Sequence, residues 1–85
     1  MPRISCFFGI VIYMYYDDHN PPHFHASYEG TDGIFDFNGN LIKGYMSLKA
    51  NALIKEWCEL HKIELEKNWK KAMENQPLDW IEPLR

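Results

Sequence analysis

The chain is short of cysteine, of net positive charge and of long apolar runs, and each shortage removes a class of protein. Two cysteines, Cys6 and Cys58, in 85 residues cannot staple a disulfide scaffold, and in a reducing compartment free thiols are their ordinary state. The apolar run from Cys6 to Tyr16 is well short of the roughly 20 residues that span a bilayer. It leads into Asp17-Asp18 rather than a small-residue cleavage site, so the expectation is a cytoplasmic protein with no membrane partner. The formal charge is −3, with 2 basic and 5 acidic side chains over residues 1–46 and 7 of each over residues 47–85. No segment reads as a general polyanion binder, which argues against nonspecific nucleic-acid binding as the main activity. No glycine-rich phosphate loop, repeat, linker or low-complexity stretch occurs, and no arginine lies near the histidines.

What is present points to one aromatic-rich core. Hydrophobic residues make up 46% and aromatics 15% of the chain, too much apolar surface for a disordered segment, and the length suits a single domain over residues 1–85. Phe7 to Tyr16 reads as one strand, apolar on both alternating faces. A second strand is expected over His23–Tyr28, a turn over Glu29–Gly33 and a third strand over Ile34–Phe37. Asn38-Gly39 predicts a two-residue type I′ hairpin loop, which would set Asp36 opposite Leu41 and Phe35 opposite Ile42, with Phe35, Phe37 and Ile42 facing inward. Ser47 is an N-cap residue, and neither proline nor glycine occurs from Leu48 to about Asn75, so one long helix follows. Its apolar stripe is Leu53, Trp57, Leu60, His61, Leu65, Trp69 and Ala72, on which His61 reads as a core residue with one hydrogen bond. Gln76-Pro77 ends the helix, and Leu78, Trp80, Ile81 and Leu84 are apolar enough to pack the tail back. The expected fold is α+β: an antiparallel sheet of about four strands, one long C-terminal helix on one face and an extended tail. Lys67, Lys70 and Lys71 read as a solvated face, with Glu66 and Lys70 as an i,i+4 pair.

The chemistry is concentrated in Asp17-Asp18-His19-Asn20-Pro21-Pro22-His23-Phe24-His25, which holds three of the four histidines. The two prolines are expected to keep Asn20 and Pro21 extended. Strand alternation then sends Phe24, Ala26 and Tyr28 to the core and sets His23 and His25 together on the wetter face, with His19 approaching from the loop. Three readings follow. In one, His19, His23 and His25 form a three-nitrogen face for a divalent metal such as zinc, with an open position. His23-x-His25-x-x-x-Glu29 also resembles part of the cupin ligand string, without its flanking glycines or second motif. In another, the imidazoles act as acid and base in a hydrolase, with RNA the first substrate to test and Asp17 or Asp18 orienting His19. In the third, the histidines brace the prolyl turn by hydrogen bonds and the loop serves recognition. Tyr13 and Tyr15, opposite Ile10, Ile12 and Met14, lack cover if one helix packs one face, and an exposed aromatic strand invites a protein partner or self-association.

Met1-Pro2, Phe8-Gly9-Ile10, Met14-Tyr15-Tyr16, the run from Asp18 to His25, Glu56-Trp57, Leu60-His61, Asn68-Trp69 and Ile81-Glu82-Pro83-Leu84 together resemble the bacterial family known as domain of unknown function four-one-six-zero. The resemblance runs nearly end to end and centres on His-Asn-Pro-Pro-His-Phe-His. It implies a small cytoplasmic protein encoded beside a partner of the family numbered two-four-four-two, in an arrangement like a toxin–antitoxin pair with this chain in the toxin-like role. Relatives carry more arginine near the start of the long helix; this chain has Lys49 there.

Overall fold

The computed structural model describes residues 2–85. Five strands, β1 (Arg3–Phe7), β2 (Ile10–Tyr13), β3 (Phe24–Tyr28), β4 (Thr31–Phe35) and β5 (Leu41–Gly44), precede one helix, α1 (Leu48–Met73). They form an antiparallel meander in the order β1-β2-β3-β4-β5. The α+β class, the antiparallel sheet and the long C-terminal helix are as the sequence predicts, with one strand more.

The extra strand arises because the apolar run expected as a single strand is broken at Phe8-Gly9. Both residues have positive φ, 50° and 80°, as the central residues of a type I′ turn require, and Phe7 pairs directly with Ile10. Glu29 and Gly30 make the next turn in the same way, with φ of 48° and 80°. Tyr28 therefore pairs with Thr31, and residues 31–33, expected in the turn, open β4 instead. Asn38-Gly39 does not form the expected two-residue loop. The Asp36 carboxylate accepts from the backbone N–H groups of Asn38 and Asn40, both at 2.9 Å, and from the Asn40 amide. This side-chain cap widens the loop, and Phe35 falls opposite Leu41 rather than Ile42. Phe35 and Phe37 are buried as expected, whereas Ile42 is exposed.

Asp36 also carries a pH signature. Partial burial raises its pKa, but the hydrogen bonds from Asn40 and Asn38 and the nearby charge of Lys55 outweigh that and hold it below the usual 3.8. A carboxylate with a depressed folded-state pKa stabilises the fold above its unfolded value, and that contribution fades as pH falls through the folded pKa. Asp36→Ala is expected to cost about 1–2 kcal/mol at pH 7. Thermal melts of both proteins at pH 7 and about pH 2 check this: the gap between them should narrow in acid, and an unchanged gap would contradict the cap.

Helix α1 starts where Ser47 Oγ accepts from the Ala50 N–H at 3.2 Å, the expected N-cap. It buries Ala50, Ile54, Trp57, Cys58, Leu65, Asn68, Trp69 and Ala72 against the sheet. Trp57 lies against Phe7 and Phe24, and Trp69 against Phe37. Leu60, expected on the stripe, is exposed because it lies on the helix flank, and Ile54 and Cys58 take up the inner face instead. His61 is less buried than expected: its backbone leaves helical geometry (φ −127°, ψ 25°), its ring lies beside Trp57 and its Nδ1 is 2.6 Å from Glu64 Oε1. The tail returns to the body. Its Ile81 N–H donates to the Ile4 carbonyl of edge strand β1 at 2.7 Å, and Trp57 Nε1–H donates to the Glu82 carbonyl at 3.0 Å. Ile81 and Leu84 are buried, while Trp80 points outward. On the expected basic face, Lys71 pairs with Asp79 at 2.6 Å. Both cysteines are free thiols; Cys6 is exposed, and burial pushes the Cys58 thiol up to about 12.

One sheet face is thus filled by α1. The other carries a row that crosses four strands through the pairs Tyr13–His25, His25–Ile34 and Ile34–Lys43, all half-buried or exposed.

Candidate functional site

The site forms where the chain leaves β2 and re-enters the sheet as β3. Met14 is still buried, tied by its N–H to the Pro2 carbonyl. The chain then turns at Asp17, which has φ 55° and donates its N–H to the Ala72 carbonyl at the end of α1. Asp17 itself is exposed. This turn swings the Asp18 side chain back over the start of β3. The Asn20–Pro21 peptide bond is cis.

Asp18 is the hub. Its Oδ2 lies 2.8 Å from His23 Nε2 and 3.5 Å from His25 Nε2, while its Oδ1 accepts from the His19 N–H at 3.0 Å. His23 sits one residue before β3, its ring packed on Trp69, which buries it more than the alternating pattern implies. Its Nδ1 is 2.7 Å from the Pro21 carbonyl, an oxygen that can only accept, so Nδ1 carries the proton there. His25 stands on the outer face of β3, with the Tyr15 ring edge-on at 4.4 Å and the His23 ring at 5.4 Å. Its Nε2 is buried and makes no hydrogen bond, since 3.5 Å to Asp18 is beyond a normal N–H···O separation.

The structure brings His23 and His25 together as the sequence predicts, but His19 does not complete the set. Its side chain is 93% exposed, 3.3 Å from Asp18 Oδ1, so Asp18 supplies the third inward donor. The donor atoms of Asp18, His23 and His25 all lie within 4.8 Å of one another, the arrangement of residues that could hold a metal ion. From the sequence either Asp17 or Asp18 is expected to orient His19; the Asp18-x-x-x-x-His23-x-His25 spacing is the signal that groups this carboxylate with the two imidazoles. Glu29, the third position of the cupin-like string, is exposed in the turn at the far end of β3. Tyr13 and Tyr15, expected to lack cover, are half-buried.

The electrostatics follow from this geometry. Burial raises the pKa of Asp18, but the His19 N–H and the charge and hydrogen bond of His23, with the His25 ring close by, outweigh it and hold the carboxyl below its usual value. Burial lowers the pKa of His25, with the charge of His23 acting in the same sense and Asp18 and Asp32 opposing. At neutral pH the pocket therefore holds an ionised carboxylate beside a neutral imidazole. Beyond the three donors it opens into a cavity of about 280 Å³ walled by His19, Asn20, Pro21, Ile34, Ile42 and Lys43. Ile42 and Lys43 bring edge strand β5 into the site, and sequence reasoning missed both because it turned Ile42 inward. Among the described residues no helix is long and apolar enough to cross a membrane.

Residues 9–70 match a family model described as domain of unknown function (DUF4160). No curated protein and no solved structure matches the chain.

Proposed function

The chain belongs to the DUF4160 family, and we propose that it is a protein-interaction module that docks a cognate protein on its outer sheet face, as the toxin-like member of a two-gene pair. The observation that carries this reading is the half-open row Tyr13, His25, Ile34 and Lys43, which continues onto edge strand β5. There Ile42 and, just beyond it, Tyr45 are exposed. An apolar edge strand that keeps its hydrogen-bonding groups available is a costly feature unless another chain covers it. The two-gene setting comes from the family resemblance, and a partner laid on β5 would also close the mouth of the Asp18 pocket.

Co-expression with the product of the neighbouring gene tests the proposal. A stable complex and relief of growth inhibition are expected, and Ile42→Asp should weaken the complex at least tenfold, about 1.4 kcal/mol, without lowering the melting temperature. Absence of any complex, together with no effect on growth when the chain is expressed alone, would remove the idea.

A further inference from the structure

We infer that Asp18, His23 and His25 form a site for a divalent transition-metal ion of the zinc type, with Asp18 rather than His19 as the third ligand. Two imidazole nitrogens and one carboxylate oxygen suit zinc and its neighbours and do not suit calcium or magnesium, which prefer oxygen donors throughout. Donors about 2.0–2.2 Å from a tetrahedral ion stand roughly 3.3 Å from one another. The 3.5 Å between His25 Nε2 and Asp18 Oδ2 is already that spacing, and the 2.8 Å between His23 Nε2 and the same oxygen needs only a small opening.

Two further observations point to an ion rather than to a braced turn alone. His25 Nε2 is buried without a hydrogen-bond partner, a state that costs free energy unless something binds there. His23 is oriented as metal-bound histidines are: Nδ1–H donates to a backbone carbonyl, Pro21 O at 2.7 Å, so Nε2, which donates to Asp18 Oδ2 at 2.8 Å, is the nitrogen left to exchange its proton for an ion. The ring is held further by Trp69. Three protein donors leave at least one coordination position, and all three line the same cavity as Lys43. One carboxylate, two neutral imidazoles and a dication leave the site net positive, so that position takes water or an anion. This inference stands without the docking reading.

The test is a titration of the chelator-treated full chain with zinc against a chromogenic competitor, and with cobalt(II) followed by its visible spectrum. One equivalent of zinc is expected to bind at submicromolar concentration. His25→Ala should lose at least 100-fold in affinity while keeping the fold, because Phe24 and Ala26 carry the core side of β3. His19→Ala should stay within about threefold of the parent chain. Wild-type affinity no tighter than that of His25→Ala overturns the site, and a loss in His19→Ala equal to that in His25→Ala overturns the assignment of Asp18. If His25→Ala fails to fold, the cobalt spectrum of the parent chain decides. Intense absorption of a four- or five-coordinate ion supports the site, and the weak spectrum of hydrated cobalt overturns it.

Discussion

Trp57→Ala is expected to cost about 3–5 kcal/mol, the range for deleting a fully buried aromatic, and to leave the domain largely unfolded near body temperature. Trp57 has no exposed surface, and it joins the three parts of the fold. Its ring contacts Phe7 on β1 at 5.3 Å and Phe24 on β3 at 5.7 Å, and its Nε1–H holds the tail at Glu82. A small domain has only about 5–15 kcal/mol in all, so one cavity of this size consumes a large part of it. Trp57→Phe keeps most of the apolar contact but loses the hydrogen bond, and should cost less than half as much. Urea unfolding followed by circular dichroism measures both. A change below about 1 kcal/mol for Trp57→Ala would contradict the packing described.

Asn68→Ala is the second large effect, expected at about 2–3 kcal/mol. Asn68 is buried on the helix, and its amide makes both hydrogen bonds of a clamp on the tail. Nδ2 donates to the Asp79 carbonyl and Oδ1 accepts from the Asp79 N–H, each at 2.9 Å. Removing it should free residues 77–85 for proteolysis as well as lower the melting temperature. Asp79→Ala supplies the control. It keeps the backbone groups that Asn68 uses and loses only the exposed ion pair with Lys71, so less than about 1 kcal/mol is expected. Equal effects from the two substitutions would show that the side chain of Asp79, and not its backbone, holds the tail.

The helix was the most legible part of the fold. Its signals are local and consistent: a serine cap, a prolyl stop, no helix breaker between them and apolar residues at helical spacing. Asn68 escaped that reading because an asparagine on a buried stripe makes sense only once the tail is seen to return over it. The turns were less legible for two opposite reasons. Phe8-Gly9 hides inside an apolar run and carries a bulky residue at positive φ, whereas Asn38-Gly39 advertises a tight turn that the Asp36 carboxylate converts into a wider loop.

Much of the site was readable from the clustering of histidines, and the side of the strand on which His25 stands follows from alternation alone. The exchange of His19 for Asp18 was not readable. It depends on the turn at Asp17, whose positive φ and hydrogen bond to Ala72 aim the Asp18 carboxylate inward and leave the His19 ring in solvent. Nor could sequence place Lys43 and Ile42 at the pocket, since their position follows from the shifted register between β4 and β5.

Under the proposed function a partner covers the outer sheet face onto which the Asp18–His23–His25 pocket opens. Isoleucine methyl NMR of the chain with and without its gene neighbour's product tests this most directly, because the isoleucines report on each surface separately. Ile34 and Ile42 line the pocket, Ile63 is exposed on the helix, and Ile4, Ile12 and Ile54 are buried. The Ile34 and Ile42 signals are expected to shift on complex formation while that of Ile63 stays in place. A shift of Ile63 with Ile34 and Ile42 unmoved would contradict this and transfer the docking surface to the outer side of the helix.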